Sequence, residues 1–549
     1  MVTIKTCEVF DMKMNKKYGI LFAVLVFSVL LVFAGSVGQS KEPGVEEIKI
    51  GVVAPLTGGA STTGTDMWQS AVLAAEQINA EGGVDVGGVY VPITLVKGDT
   101  ETSRESGVKA VTKLITEDKV DLLIGGFSSG ITYADQVVAA EHKVPFIITG
   151  ASSPIVTRRT DIDTSYFFHH CPTTDDYPEA TLLFVNEVVK PEIYERFNFS
   201  EDRPLRLGVL YQDSKYGEGV YEGIRKAIEK HNLNMEIVSA EKFKMSETDF
   251  RTVLTVIKES KPDVVYVAAF LNEQTLIVTQ GRKDVGMNTI YLSVECNDDP
   301  DYYTGVGRWG EYSIQESRFS PYAIPSGPIH EVVKKFKEDF KNRWGTSPSM
   351  MGASTYEGVY IAAEAIKNAG TLDKEKVRAS LAELEMPQIV EVMQNGVINF
   401  SSDYRESKFA LYMEQLIWNE SVGETRPKIV WPDSIKETDF VLPDWYEPGS
   451  SLAATATATA TKATEECKTL WYFDEESLKC QQKEFCGMYM YKGLRTFETE
   501  EECKAALEKY LQEKREEKET PAPEEPGFGA FLTIASLLAI AYMVQRRRK

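Results

Sequence analysis

Ile48-Lys-Ile-Gly-Val-Val-Ala-Pro-Leu-Thr-Gly58 opens the part of the chain that decides its fold. Its first seven residues form a short apolar run rich in β-branched side chains, which predicts a strand. Ala71, Ala74, Ala75 and Ile78 then recur at helical spacing, and Gly82-Gly83 ends that helix. Working outward, residues 91–96 read as a strand, 103–116 as a helix, 122–124 as a strand, 131–142 as a helix and 146–149 as a strand. Repeated βα units of this kind build a parallel sheet with helices on both faces. The rhythm restarts at 205–211 (strand), 217–230 (helix) and 235–240 (strand). It continues through 250–259 (helix), 263–270 (strand) and 290–294 (strand). The expected class is α/β, two doubly wound parallel-sheet lobes joined near 168–174, with long helices over 328–343 and 356–369. In open parallel sheets, ligands bind beyond the carboxyl ends of the strands, so two such ends should face each other across a cleft.

Composition agrees with a folded, non-nucleic-acid-binding body. The 549 residues are 43% hydrophobic and 26% charged, as in globular domains. The net charge of −22 repels nucleic acid, and no basic stripe opposes it.

Both ends carry apolar segments. Lys13, Lys16 and Lys17 precede an apolar run over 20–34 that exits through small residues, the pattern of a secretory signal peptide covering 1–38. At the other end Pro526-Gly527-Phe528 leads into an apolar run to Val544 and then Arg546-Arg547-Arg548-Lys549. Positive residues stay cytoplasmic, which places the body outside the cell. This ending resembles the PGF-type C-terminal sorting signal that archaeosortases process in archaea. The resemblance implies a surface protein held by its C-terminus, through the helix itself or through a lipid after processing.

Residues 450–464 are an Ala/Thr-rich linker too poor in large apolar groups to fold. Cys467, Cys480, Cys486 and Cys503 crowd a small module over 465–507, as disulfides do in an oxidising compartment. A charged spacer over 508–525 separates it from the terminal segment at 526–549. Leu470-Trp-Tyr-Phe-Asp474 and Thr496-Phe-Glu-Thr-Glu-Glu-Glu-Cys503 resemble the second half of a Kunitz domain. That resemblance implies pairing of Cys480 with Cys503 and of Cys467 with Cys486; it does not extend to an inhibitory loop. Asn198, Asn399 and Asn419 begin possible glycan acceptor triplets.

Several stretches over 47–446 together resemble type I periplasmic binding proteins of the branched-chain amino acid branch. They are the opening run itself, Ala74-Ala-Glu-Gln-Ile-Asn-Ala-Glu-Gly-Gly83, Ile124-Gly-Gly-Phe-Ser-Ser-Gly130, Thr149-Gly-Ala-Ser-Ser-Pro154, Tyr216-Gly-Glu-Gly219 and Thr355-Tyr-Glu-Gly358, in that order. The resemblance implies two lobes that close on a ligand by a hinge, lobe 1 over 47–170 and 298–372, lobe 2 over 173–295 and 375–446. It also implies delivery of a small polar ligand, amino acid or amide, to the permease and ATPase of an ABC importer, without cofactor or catalysis. By the same resemblance Ser128, Ala151 and Ser153 hold the ligand's carboxylate, Tyr216 lines the second lobe, and Glu295 holds an ammonium group. Exposed N–H groups at helix starts suit an anion, and a facing carboxylate suits a zwitterion. Thr63 and Phe270 stand where leucine binders carry pocket aromatics, so a different side chain is expected in the ligand. Ser128 and Ser153 also read, more simply, as helix caps.

Other readings compete. Gly126-Phe-Ser-Ser-Gly130 satisfies the G-x-S-x-G pattern and would make Ser128 the nucleophile of an α/β serine hydrolase, which needs a general base among the few histidines. A ligand-sensing ectodomain would share the fold, but only Gln545–Lys549 follow the terminal apolar run. Gly305-Val-Gly-Arg-Trp-Gly310 follows polar residues and reads as a loop, not a dinucleotide turn. His169-His170-Cys171 is not expected to hold a metal, because neighbours on an extended strand face opposite ways. Cys171 and Cys296 are expected to be buried thiols.

Overall fold

A computed structural model describes residues 46–294, 297–327 and 329–449, and, further on, 467–474, 479–486, 496–497, 499–505 and 507–508. The expected signal peptide, linker, charged spacer and terminal apolar run lie outside these residues. The chain divides into a body up to Ala454 and a second unit from Thr455.

The first lobe of the body is built on β1 (Ile48–Ala54), the hairpin β2 (Val84–Val86) and β3 (Val89–Val91), then β4 (Ile93–Asp99), β5 (Leu122–Phe127), β6 (Phe146–Gly150) and β7 (Phe167–His169). Its sheet runs β4-β1-β5-β6-β7, all parallel. The strand expected at 91–96 is thus divided at Pro92, which has no N–H to give to a ladder. β5 is buried along its whole length, as an apolar run between two helical layers must be.

The second lobe contains β8 (Leu205–Gln212), β9 (Met235–Phe243), β10 (Val264–Ala268), β11 (Ile290–Ser293) and β12 (Ile314–Ser317). After the small pair β13 (Glu385–Pro387) and β14 (Val397–Asn399), β15 (Tyr412–Asn419) and β16 (Glu424–Trp431) add an antiparallel edge. The order is β16-β15-β12-β11-β10-β8-β9.

Two lobe boundaries differ from expectation. The chain does not return to the first lobe at 298: β12 pairs with β11 in the second sheet, so the return follows Ser317. The helix Lys374–Ala382 packs on Met350–Ala369 in the first lobe, which moves the last crossing beyond residue 382. The polar strand Ile-Gln-Glu-Ser offers no apolar alternation to betray it. The Gly305–Gly310 stretch, expected to be a loop, instead closes the helix Pro300–Val306 and forms the short 3₁₀ turn Gly307–Gly310.

Three crossings therefore link the lobes, near 170–175, 318–329 and 383–411. Backbone bonds lace them together: Ser407 N–H donates to the His169 carbonyl, His169 N–H to Arg405, and Val392 N–H to Arg318.

In the second unit, β17 (Cys467–Asp474) pairs antiparallel with β18 (Lys479–Cys486), and β19 (Thr496–Phe497) flanks β17. The register sets Cys467 opposite Cys486, and a disulfide joins Cys480 to Cys503.

Candidate functional site

The site begins where β5 ends. Gly125 and Gly126 hold φ of +100° and +79°. A Cβ on Gly125 would sit 2.3 Å from the Val53 carbonyl oxygen, so only glycine lets the strand turn here. Phe127 and Ser128 follow at the edge of the cleft. Ser128 occupies the N-cap position of the helix Ser129–Glu141 with φ 70° and ψ 113°, and its side chain makes no capping bond. Its hydroxyl is thereby not committed to the helix.

The turn after β6 is fastened to this one. The Ser153 N–H donates to Ser129 Oγ at 3.0 Å. Ala151 is fully buried and its carbonyl accepts from His169 Nε2 at 2.8 Å, which fixes that imidazole's proton on Nε2. Burial pushes His169 down to about 4, so the ring is neutral at ordinary pH. The helix after this turn, Ile155–Arg158, likewise has no side-chain cap from Ser153. The simple capping role thus does not account for either serine.

Across the cleft, Ser214 caps the helix Lys215–Lys230 by accepting from the Gly217 N–H, and Tyr216 lies buried in its first turn. Phe270 stands at the start of Leu271–Lys283, beyond β10. Its ring stacks on Tyr216 at 5.5 Å and meets Phe127 of the first lobe at 4.9 Å. Asn272 Nδ2 donates to the Gly59 carbonyl at 3.0 Å. The two lobes are in contact, so the structure is that of a closed cleft.

Four of the expected residues, Ser128, Ala151, Ser153 and Thr63, sit on first-lobe turns or helix starts; from the second lobe Phe270 meets Phe127, the residue before Ser128, and Tyr216 stacks on Phe270. Glu295 and Cys296 lie outside the described residues. Next to them Asn297 is buried and donates to the Ala269 carbonyl and Ser293 Oγ, each at 3.1 Å, tying the ends of β10 and β11 together. Phe127 was missed: at the end of an all-buried strand it reads as core, and its one signal is its place between the glycine pair and Ser128.

Beside Thr63 a cavity of about 350 Å³ opens between Ser61, Thr65 and Asp66 of the first lobe and Asp299–Asp301 of the second. Burial raises Asp66 to about 6, although the Ser349 hydroxyl and N–H groups of Ser349 and Gly352 oppose it. Asp299 is raised well above the carboxylate range by burial and by the nearby Asp66 charge. The wall is acidic and rich in hydroxyls, which suits a polar or cationic group.

The hydrolase reading lacks its base. His142 bonds the Val138 carbonyl, His169 the Ala151 carbonyl, His170 Ser407 and Glu357, and His231 Glu179. Among the described residues no histidine bonds Ser128. His170, Glu357 and Glu391 bring three metal-ligating atoms within 4.8 Å of one another. Arg318 Nε lies 2.7 Å from Glu391 Oε1, and a guanidinium there already supplies the cation.

Residues 47–405 match the family described as periplasmic binding protein, and residues 525–548 match the PGF-CTERM motif. Leu/Ile/Val-binding protein homolog 7 of Brucella suis biovar 1 (strain 1330) is 22% identical over 436 residues, 76% of this chain and 99% of its own. The branched-chain amino acid transporter substrate binding protein LivJ of Streptococcus pneumoniae, solved with isoleucine, is 24% identical with TM-score 0.58; the match covers 70% of this chain and 100% of that one. A solute binding protein of an ABC transporter from Rhodopseudomonas palustris BisB5, solved with 3,4-dihydroxy benzoic acid, is 20% identical with TM-score 0.58, over 72% and 98% of the two chains. These structural likenesses establish the fold. The PGF-CTERM motif implies an extracellular protein anchored at its C-terminus. Among the described residues no helix is long and apolar enough to cross a membrane.

Proposed function

The chain belongs to the periplasmic binding protein family, and on that premise we propose that it is the extracellular receptor of an ABC importer, closing its two lobes on an amino acid or amide and handing it to the permease. The observation that carries this reading is the juxtaposition of the Ser128 and Ala151–Ser153 turns with Tyr216 and Phe270 across the cleft. Hydroxyls and helix-start N–H groups on one wall suit a carboxylate. Glu295, just past β11, is the proposed partner of the ligand's ammonium group, and Thr63 and the acidic cavity beside it leave room for a polar side chain. The protein is proposed to act without cofactor or turnover, held at the membrane through its PGF-type end, as a span or through a lipid. Cys467 and Cys486, opposite each other in β17 and β18, are proposed to form a second disulfide.

One observation favours a second ligand class. Phe127, Phe270 and Tyr216 make a three-ring wall, which suits a planar aromatic acid, with the same serine turns taking its carboxylate.

Thermal-shift screening of the secreted chain against amino acids, amides and aromatic acids tests both readings, because a ligand that binds the folded state raises the melting temperature. A saturable shift with one amino acid, abolished by Glu295→Ala, is the expected result. A shift with an aromatic acid that survives Glu295→Ala favours the second ligand class. No shift with any of them removes both ligand assignments.

A further inference from the structure

The three crossings meet in one buried polar cluster that the ligand site does not use. His170 belongs to the first crossing, Arg318 to the second and Glu391 to the third, while Glu357 comes from the first-lobe helix Met350–Ala369; all four side chains are fully buried. His170 Nε2 lies 2.7 Å from Glu357 Oε2, and its Nδ1 lies 3.1 Å from Ser407 Oγ. Glu357 Oε1 accepts the N–H groups of Val390 and Glu391 at 2.6 and 2.8 Å. Arg318 Nε donates to Glu391 Oε1 at 2.7 Å, and Ser354 joins both, accepting from Arg318 Nη2 and donating to Glu391 Oε1. Glu391 Oε2 has no hydrogen-bond partner and lies 3.5 Å from His170 Nε2. Phe409 covers the cluster, its ring 5.1 Å from both the His170 ring and the Arg318 guanidinium.

The charges do not balance unless a proton is held. Arg318 neutralises one carboxylate. A second ionised carboxylate beside a neutral imidazole would leave a net buried negative charge, which low-dielectric surroundings strongly disfavour. One proton on the carboxyl pair makes the quartet neutral and satisfies Glu391 Oε2.

We propose that His170, Glu357, Glu391 and Arg318 form a proton-linked latch on the hinge, which holds the three crossings in the closed arrangement while one proton is bound and favours opening when it is lost. The proposal rests on the two-lobed closing mechanism above but not on any ligand. Burial raises Glu357 to about 7 against the opposing backbone N–H groups of Glu391 and Val390. Burial likewise raises Glu391 to about 7, with Arg318 opposing. Burial lowers His170 to about 4, so the proton resides on the carboxyls. The other titratable groups facing the cluster are Cys171 and Tyr177 beside Arg318, and Tyr412 on β15 beside Glu391; burial raises all three, which keeps them neutral. Glu316 on β12 faces Tyr177 rather than the quartet.

The sign follows from carboxyls whose values are raised in the closed state. Closure is fully favoured below the ordinary carboxyl value near 4.5, weakens as pH rises towards 7, and is level above that. The test is hydrogen exchange of the ligand-free full chain from pH 5 to 9, corrected for intrinsic rates and read at the Met350 amide, whose N–H donates to the Asp298 carbonyl across the lobes at 3.1 Å. Protection there should fall by up to about tenfold per pH unit between 5 and 7 and then stay level. Glu357→Gln should keep the acid-state protection throughout. Glu391→Gln, which leaves Arg318 balanced by Glu357 alone, should do the same and serves if the first variant does not fold. Equal protection of the wild type at pH 5 and 8 overturns the latch, as does an unchanged pH dependence in either folded variant. A protein that binds none of the solutes screened above but shows this profile would keep the latch and lose the ligand assignment.

Discussion

Ser128 holds φ 70° and ψ 113°, where a side chain crowds its own backbone. Such a conformation costs about 1–3 kcal/mol and persists only where the surroundings impose it. Here the Gly125-Gly126 bend and the start of Ser129–Glu141 do so. Ser128→Gly should therefore raise the melting temperature while weakening ligand binding, whereas Ser128→Ala should weaken binding without stabilising the fold; paired melting and titration curves separate the two effects. Asp135, on the same helix, is fully buried with neither carboxyl oxygen partnered, and burial raises it well above the carboxylate range. A raised carboxyl contributes its full stability below its unfolded value and loses it as pH rises through the folded one. Asp135→Asn should thus stabilise the protein more at pH 8 than at pH 5, as read by denaturant unfolding at both pH values.

Individual elements are set by a few close approaches. The helix Lys215–Lys230 starts where it does because Ser214 caps it and because a Cβ on Gly217 would meet the Gln212 carbonyl oxygen at 2.0 Å. That approach places Tyr216 at the cleft. The C-terminal unit depends on a different device. A three-stranded sheet this small buries little apolar surface, and a disulfide closing a loop between residues 23 apart limits the unfolded chain instead. The chain-entropy argument assigns such a loop about 3 kcal/mol. Cys480→Ser should lower the exchange protection of β17 and β18, which the proposed Cys467–Cys486 bridge still joins, while leaving the melting of the body unchanged.

The molecule works through the relation between its lobes. The Met350 N–H bond to the Asp298 carbonyl, the Phe127–Phe270 contact and the Asn272–Gly59 bond all hold the closed cleft from both sides. The last of these is an exposed, neutral hydrogen bond and belongs at the low end of the usual range, about 0.5–1.5 kcal/mol. Asn272→Ala should weaken ligand affinity about two- to threefold through faster release, with the melting temperature of the free protein nearly unchanged. Stopped-flow release measurements distinguish this from damage to the pocket, which would alter affinity far more.

The alternation of apolar runs and amphipathic helices by itself determined the α/β class, the two lobes and the turns that carry Ser128, Ala151 and Ser153. Those features are local: a strand, a turn and a helix start each announce themselves within a few residues. The resemblance to a Kunitz domain implied the pairing of Cys480 with Cys503, which the structure contains. Tertiary structure alone decided where the chain recrosses, because β12 is polar and owes its place to neighbours on both sides rather than to its own pattern. It alone brought Phe127 against Phe270, since a buried phenylalanine looks the same whether it faces a core or a cleft. It alone assembled His170, Arg318, Glu357 and Glu391, four polar residues far apart in the chain that periodicity would leave at the surface. Charge balance in a buried cluster depends on distances in space, and no spacing along the chain encodes it.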